Sequence, residues 1–156
     1  MDLHVDDDAF VRAPVAAVYP RLTDIAGWSD WWPGVRTVAV AEGRTTAPPD
    51  EPSERWSIAL RARRTSRPLR VTGTPGQYRH DAGFRIDLEG DLAGWSEFWL
   101  EDAFGGTVVH HLLVAATDHR RPVRVLRDYR VVLRRGLWRL KDDLQREARR
   151  DLGMAP

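Results

Sequence analysis

Cysteine is absent from the 156-residue chain, which removes a disulfide framework, a thiolate nucleophile and any cysteine-ligated zinc. Lysine is nearly absent as well: arginine supplies 23 of the 24 basic side chains, a bias that reads as coding preference. No apolar run approaches the 18 or so residues that a membrane-spanning helix needs. The N-terminal Met1-Asp2-Leu3-His4-Val5-Asp6-Asp7-Asp8 is acidic, where a secretory signal is basic and then apolar. A cytoplasmic protein with no membrane span is expected. The chain also has no Gly-x-Ser-x-Gly elbow, phosphate loop, dinucleotide fingerprint or His-x-x-x-His pair, so neither a metal nor a cofactor is expected.

Charge of one sign is lacking overall, since 24 basic and 23 acidic residues leave a formal net charge of +1. Nothing in that sum favours nucleic acid or an anionic membrane, and no nucleic-acid partner is expected. The distribution is uneven. Residues 119–156 carry 12 basic and 5 acidic side chains, a net +7, which leaves −6 for the rest and favours long-range complementarity between the two parts.

What is present is one long helical pattern, from Pro122 to about Asp151. Leu126, Leu133, Leu137, Leu140, Leu144 and Ala148 recur at spacings of three, four or seven and form one stripe, widened by Tyr129, Val132 and Gly136. Pro122 suits the first turn and Gly153 suits a stop. At 1.5 Å per residue such a helix is about 45 Å long, so a broad apolar surface has to cover its stripe. Trp138 reads as packing, and the helix arginines read as a solvated face.

The remainder reads as one strand, Leu3 to Arg12, then two short helices and a run of strands. Pro14 opens the first helix, and Asp24 caps the second over Ile25 to Trp32, which Pro33-Gly34 ends. From Val35 the period becomes two. Val35 to Ala41 is the second strand, and residues 43–53, with three prolines, read as a polar loop. Trp56-Ile58-Leu60, Leu69-Val71-Gly73 and Phe84-Ile86-Leu88 each alternate with polar or small residues, the pattern of antiparallel strands with one wet face. Thr74-Pro75-Gly76 reads as a bulge or turn, and Leu92 to Glu101 and Thr107 to Thr117 complete about seven strands, with Phe104-Gly105-Gly106 turning the last pair. Segregated blocks of this kind give an α+β fold, with residues 1–156 as one domain.

This layout, with Ala13-Pro14-Val15-Ala16-Ala17-Val18-Tyr19 leading to Leu22-Thr23-Asp24 and then Trp28-Ser29-Asp30-Trp31-Trp32-Pro33-Gly34-Val35, resembles the START-like helix-grip superfamily, also called SRPBCC. Gly90-Asp91-Leu92 with Gly94, and Gly105-Gly106-Thr107, carry the same likeness, which is greatest to the polyketide cyclase/dehydrase and lipid-transport branch. The resemblance implies a curved seven-stranded antiparallel sheet gripping the long helix, with two short helices between strands 1 and 2. It also implies a cavity for an apolar or aromatic small molecule, lipid or polyketide-like, without identifying the ligand. The alternatives are a cyclase/dehydrase-type enzyme acting on a bound poly-ketone and a protein-interaction module using the basic helix face. Oligomeric state is left open.

Against that frame the candidate ligand-binding residues are Trp32, Trp56, Ile58, Phe84, Phe98, Tyr129 and Leu133, aromatic or apolar positions on the strand faces and helix stripe that would border a cavity. The candidates for chemistry are His110, His111, Tyr129 and Glu97. Adjacent strand residues point to opposite faces, so one of the two histidines points inward, as a ligand contact, a proton shuttle or a core residue. Strand 94–101 carries aromatics in either parity. Turning Gly94, Ser96, Phe98 and Leu100 inward avoids burying charge; the other parity sets Glu97 inside between Trp95 and Trp99, where its pKa would rise.

Overall fold

A computed structural model describes residues 1–40 and 54–153; the polar loop expected at 43–53, and Ala41 at the end of the second strand, lie outside the described residues. Seven strands form one antiparallel sheet: β1 Asp2–Val11, β2 Val35–Ala39, β3 Trp56–Leu60, β4 Leu69–Arg79, β5 Gly83–Gly90, β6 Ala93–Ala103 and β7 Gly106–Ala116. Their order is β1-β7-β6-β5-β4-β3-β2, so β1 closes one edge, β2 the other, and every other pairing is between sequence neighbours. Two short helices, α1 Val15–Thr23 and α2 Trp28–Trp31, join the two edges, and α3 Pro122–Asp151 crosses the inner face. This is the helix-grip arrangement.

The alternation in the strands decides which residues meet α3. Leu3, Val5, Ile58, Val71, Ile86, Phe98 and Leu113 are all buried on the inner face, with Val125, Tyr129, Val132, Leu133, Leu137, Leu140 and Leu144 of α3 opposite. The stripe therefore begins at Val125; Leu126, the expected first member, is only half-buried at its flank. Trp138 is a second correction. It is 55% exposed, with the Lys141 ammonium 5.4 Å from its ring, because its position falls between the buried pair Leu137 and Leu140 on the wet face.

Local chemistry sets the remaining boundaries. The Asp24 carboxylate accepts from the Gly27 amide at 3.3 Å, but it caps a 3-10 turn, Ile25–Gly27, that passes into α2. Thr74-Pro75-Gly76 does not end its strand: β4 runs on to Arg79, with the register shift between Gly76 and Arg79. Phe104 and Gly105 make the two-residue β6–β7 turn with φ of 55° and 72°, the primed geometry that matches strand twist.

Candidate functional site

Between the sheet and α3 lies an interior cavity of about 30 Å³, lined by residues of α2 and its C-terminal end, of β3 to β7 with the β5–β6 turn, and of α3, nine of the twelve being Trp, Phe, Leu, Ile or Val. That is room for about one water molecule. The rest of the concave space is filled by rings: Trp28 and Trp32 lie 5.1 Å apart by centroids, and both meet Phe98 edge-on at 6.3 and 6.2 Å. Two indole hydrogen bonds hold the tryptophans. Trp28 donates to the Leu22 carbonyl at 2.9 Å, and Trp32 donates across the core to the Val132 carbonyl on α3 at 2.8 Å.

The latter contact explains a glycine. A Cβ on residue 136 would stand 2.1 Å from the Trp32 indole nitrogen, so only Gly136 lets that ring lie against the helix backbone. Gly136 and Trp32 form one feature although 104 positions separate them.

The three polar side chains of the lining are Ser96, His111 and Tyr129. The sheet register brings Phe84, Phe98 and His111 into one cross-strand row, with the Phe98 and His111 rings 4.4 Å apart. His111 Nε2 and the Tyr129 hydroxyl share a hydrogen bond of 2.5 Å, and both side chains are fully buried. Burial pushes the His111 pKa down to about 3 and raises that of the Tyr129 phenol well above its ordinary value. Both are neutral at pH 7. The second imidazole nitrogen, His111 Nδ1, is buried with no hydrogen-bond partner among the described residues.

Of the residues expected to bind ligand, Trp32, Ile58, Phe98 and Tyr129 line this cavity. Trp56, Phe84 and Leu133 do not. Trp56 packs at the core margin, Phe84 lies behind Phe98 in a stack with Tyr78, and Leu133 is wholly buried in the helix–sheet contact. Of the residues considered for chemistry, His111 and Tyr129 meet in the interior, whereas His110 and Glu97 face away from it. His110 stacks on Trp99 at 3.7 Å and contacts Glu101, and Glu97 pairs with Arg79, because Ser96, Phe98 and Leu100 take the inner face. Sequence reasoning missed Trp28, Leu60, Val71, Ile86, Leu88, Leu92 and Ser96 as lining residues. Their inward parity was legible for the strands; that the cavity narrows at this particular level was not. Among the described residues no three His, Cys, Asp or Glu side chains converge as a metal site, and no helix is long and apolar enough to cross a membrane.

No family model matches the chain, and no curated protein matches it in sequence. Solved structures do match in fold. A START superfamily protein from Mycobacterium smegmatis superposes with a TM-score of 0.71 at 13% identity, over 92% of this chain and 97% of that one. The Zhui aromatase/cyclase from Streptomyces sp. R1128 gives 0.68 at 14% identity, over 99% and 100%. The di-domain ARO/CYC StfQ from the steffimycin biosynthetic pathway gives 0.68 at 15%, over 95% of this chain and 52% of that one. The likeness is one of fold: the chain shares the helix-grip fold of these structures.

Proposed function

We propose that this protein binds an apolar or aromatic small molecule, lipid or polyketide-like, in the space between the sheet and α3. The observation that carries the reading is the buried His111–Tyr129 pair with its unpartnered Nδ1. An interior that only had to pack would lose little by replacing both partners with apolar groups, whereas a buried nitrogen without a partner costs about 1–3 kcal/mol. A ligand oxygen or hydroxyl would satisfy it, and Ser96 offers a further polar contact on the same wall. The fold likeness to a START superfamily protein and to aromatase/cyclases supports the same reading.

Small-molecule pockets are commonly about 300–1,000 Å³, so the ligand must displace rings instead of filling a void. The rings of Trp28 and Trp32 are the ones that leave, since both sit at the four-residue α2 and each has one hydrogen bond to break. An enzyme of the cyclase/dehydrase type is the second reading, favoured by the same His–Tyr pair. Its weakness is the pKa: a base near 3 is poorly matched to neutral pH, and the raised phenol gives up its proton reluctantly.

Titration with Nile red tests the proposal. Saturable binding at about one site per chain is expected, with Tyr129→Phe weakening it about tenfold or less. Absence of saturable binding contradicts the reading. Turnover of a poly-ketone that rises through a pKa near 6 to 7 and vanishes in His111→Ala would put the enzyme reading in its place.

A further inference from the structure

Outside the interior, a groove of about 630 Å³ opens between α2, the start of β2, β3 and β4 and the middle of α3. Four arginines line it, Arg36, Arg61, Arg70 and Arg139, against one acid, Asp30. Three of the four come from the part of the chain that is acidic overall, so the positive charge is a local concentration and not a spill-over from the basic helix. Arg139 is paired with Asp143 at 3.3 Å, but Arg36, Arg61 and Arg70 form no ion pair with an acid among the described residues. Separate solvated arginines would be unremarkable. These converge on one concavity whose wall is aromatic, and Trp31 in that wall has a buried indole N–H with no acceptor among the described residues.

Trp32 lines this groove and the interior cavity alike, and Trp31 stacks on it at 5.5 Å with an 18° tilt. One indole therefore separates a basic, solvent-open concavity from an apolar interior. We propose that the groove receives the anionic head, a carboxylate or phosphate, of an amphipathic ligand whose apolar body passes Trp32 into the interior. Guanidinium groups pair with either head through two parallel hydrogen bonds, and the aromatic wall excludes water from one side of that contact. The assignment rests on the binding reading above and narrows its ligand to an apolar body with an acidic end.

Competition against Nile red with decanoate, decyl phosphate and decanol, three ligands with the same chain length and different heads, tests it. Decanoate, decyl phosphate or both should displace the dye about tenfold to a hundredfold more tightly than decanol at low salt, with the preferred head showing whether carboxylate or phosphate is the better fit. In the triple variant Arg36→Gln, Arg61→Gln, Arg70→Gln, and at 1 M salt, that advantage should vanish while decanol affinity stays unchanged. Equal binding of decanol, or an anion advantage that survives the triple variant, overturns the head-group assignment and leaves interior binding standing. Failure of Nile red and all three ligands to bind overturns both.

Discussion

Glycine inside a helix costs about 1 kcal/mol relative to alanine, and Gly136 bears that cost so that the Trp32 indole can reach the Val132 carbonyl. Propensity alone says that Gly136→Ala stabilises α3. The geometry says the opposite, because the added methyl would stand 2.1 Å from the indole nitrogen. A net loss of about 1–3 kcal/mol is expected in chemical denaturation, with a changed near-ultraviolet tryptophan signal; a gain in stability would contradict the packing described. His111 sets the acid response. Its folded pKa of about 3 lies below the unfolded value near 6.5, so below pH 6.5 the unfolded chain takes up a proton that the folded chain refuses. Stability should be fully present above pH 6.5 and fall by roughly 1–2 kcal/mol between pH 6.5 and 5, and His111→Phe should remove that part of the slope. An unchanged slope would place the titrating group elsewhere.

At the scale of the element, parity and period made most of the fold legible. The burial preference against Glu97 fixes β6, and through the Phe84–Phe98–His111 row it also fixes which histidine turns inward. That last step needs the register, which a two-residue period does not supply. The length of α3 was legible from its stripe, but its exact face was not, since Val125 and Leu126 are adjacent and either begins a plausible stripe. What remained illegible in the site is long-range: nothing local in Trp28-Ser29-Asp30-Trp31-Trp32 says that Trp28 and Trp32 fill a cavity while Trp31 and the same Trp32 wall a groove. The helix arginines also divide in a way that composition hides. Arg135 donates to the Ala62 carbonyl at 2.6 Å and ties the segment after β3 to α3, whereas Arg139 pairs, among the described residues, with its helical neighbour Asp143. Arg135→Gln should therefore cost about 1 kcal/mol, and Arg139→Gln about 0.5 kcal/mol or less, in the same denaturant titration. Equal small effects would return Arg135 to the solvated face.

For the whole molecule, the charge asymmetry between α3 and the rest has a direct structural expression. Near the middle of α3 Arg134 reaches Asp7 of β1 at 2.6 Å, in the sense of that asymmetry, whereas near the C-terminal end Glu147 accepts from Arg21 of α1 at 2.5 Å, against it. These pairs are partly exposed and each contributes little; the apolar stripe and the rings around it hold the helix down. On the proposed reading those same rings occupy the space the ligand would take, so stability and ligand binding would compete for Trp28 and Trp32. Seven tryptophans give seven indole N–H signals in a two-dimensional NMR spectrum, and following them through a Nile red titration tests that claim directly. The account predicts that the Trp28 and Trp32 signals shift, with loss of the bonds to Leu22 and Val132, and saturate at about one equivalent, while the exposed Trp138 stays still. Movement confined to Trp138 and Trp99, with Trp28 and Trp32 unchanged, would mean that the dye sits on the surface and that the interior is only a core.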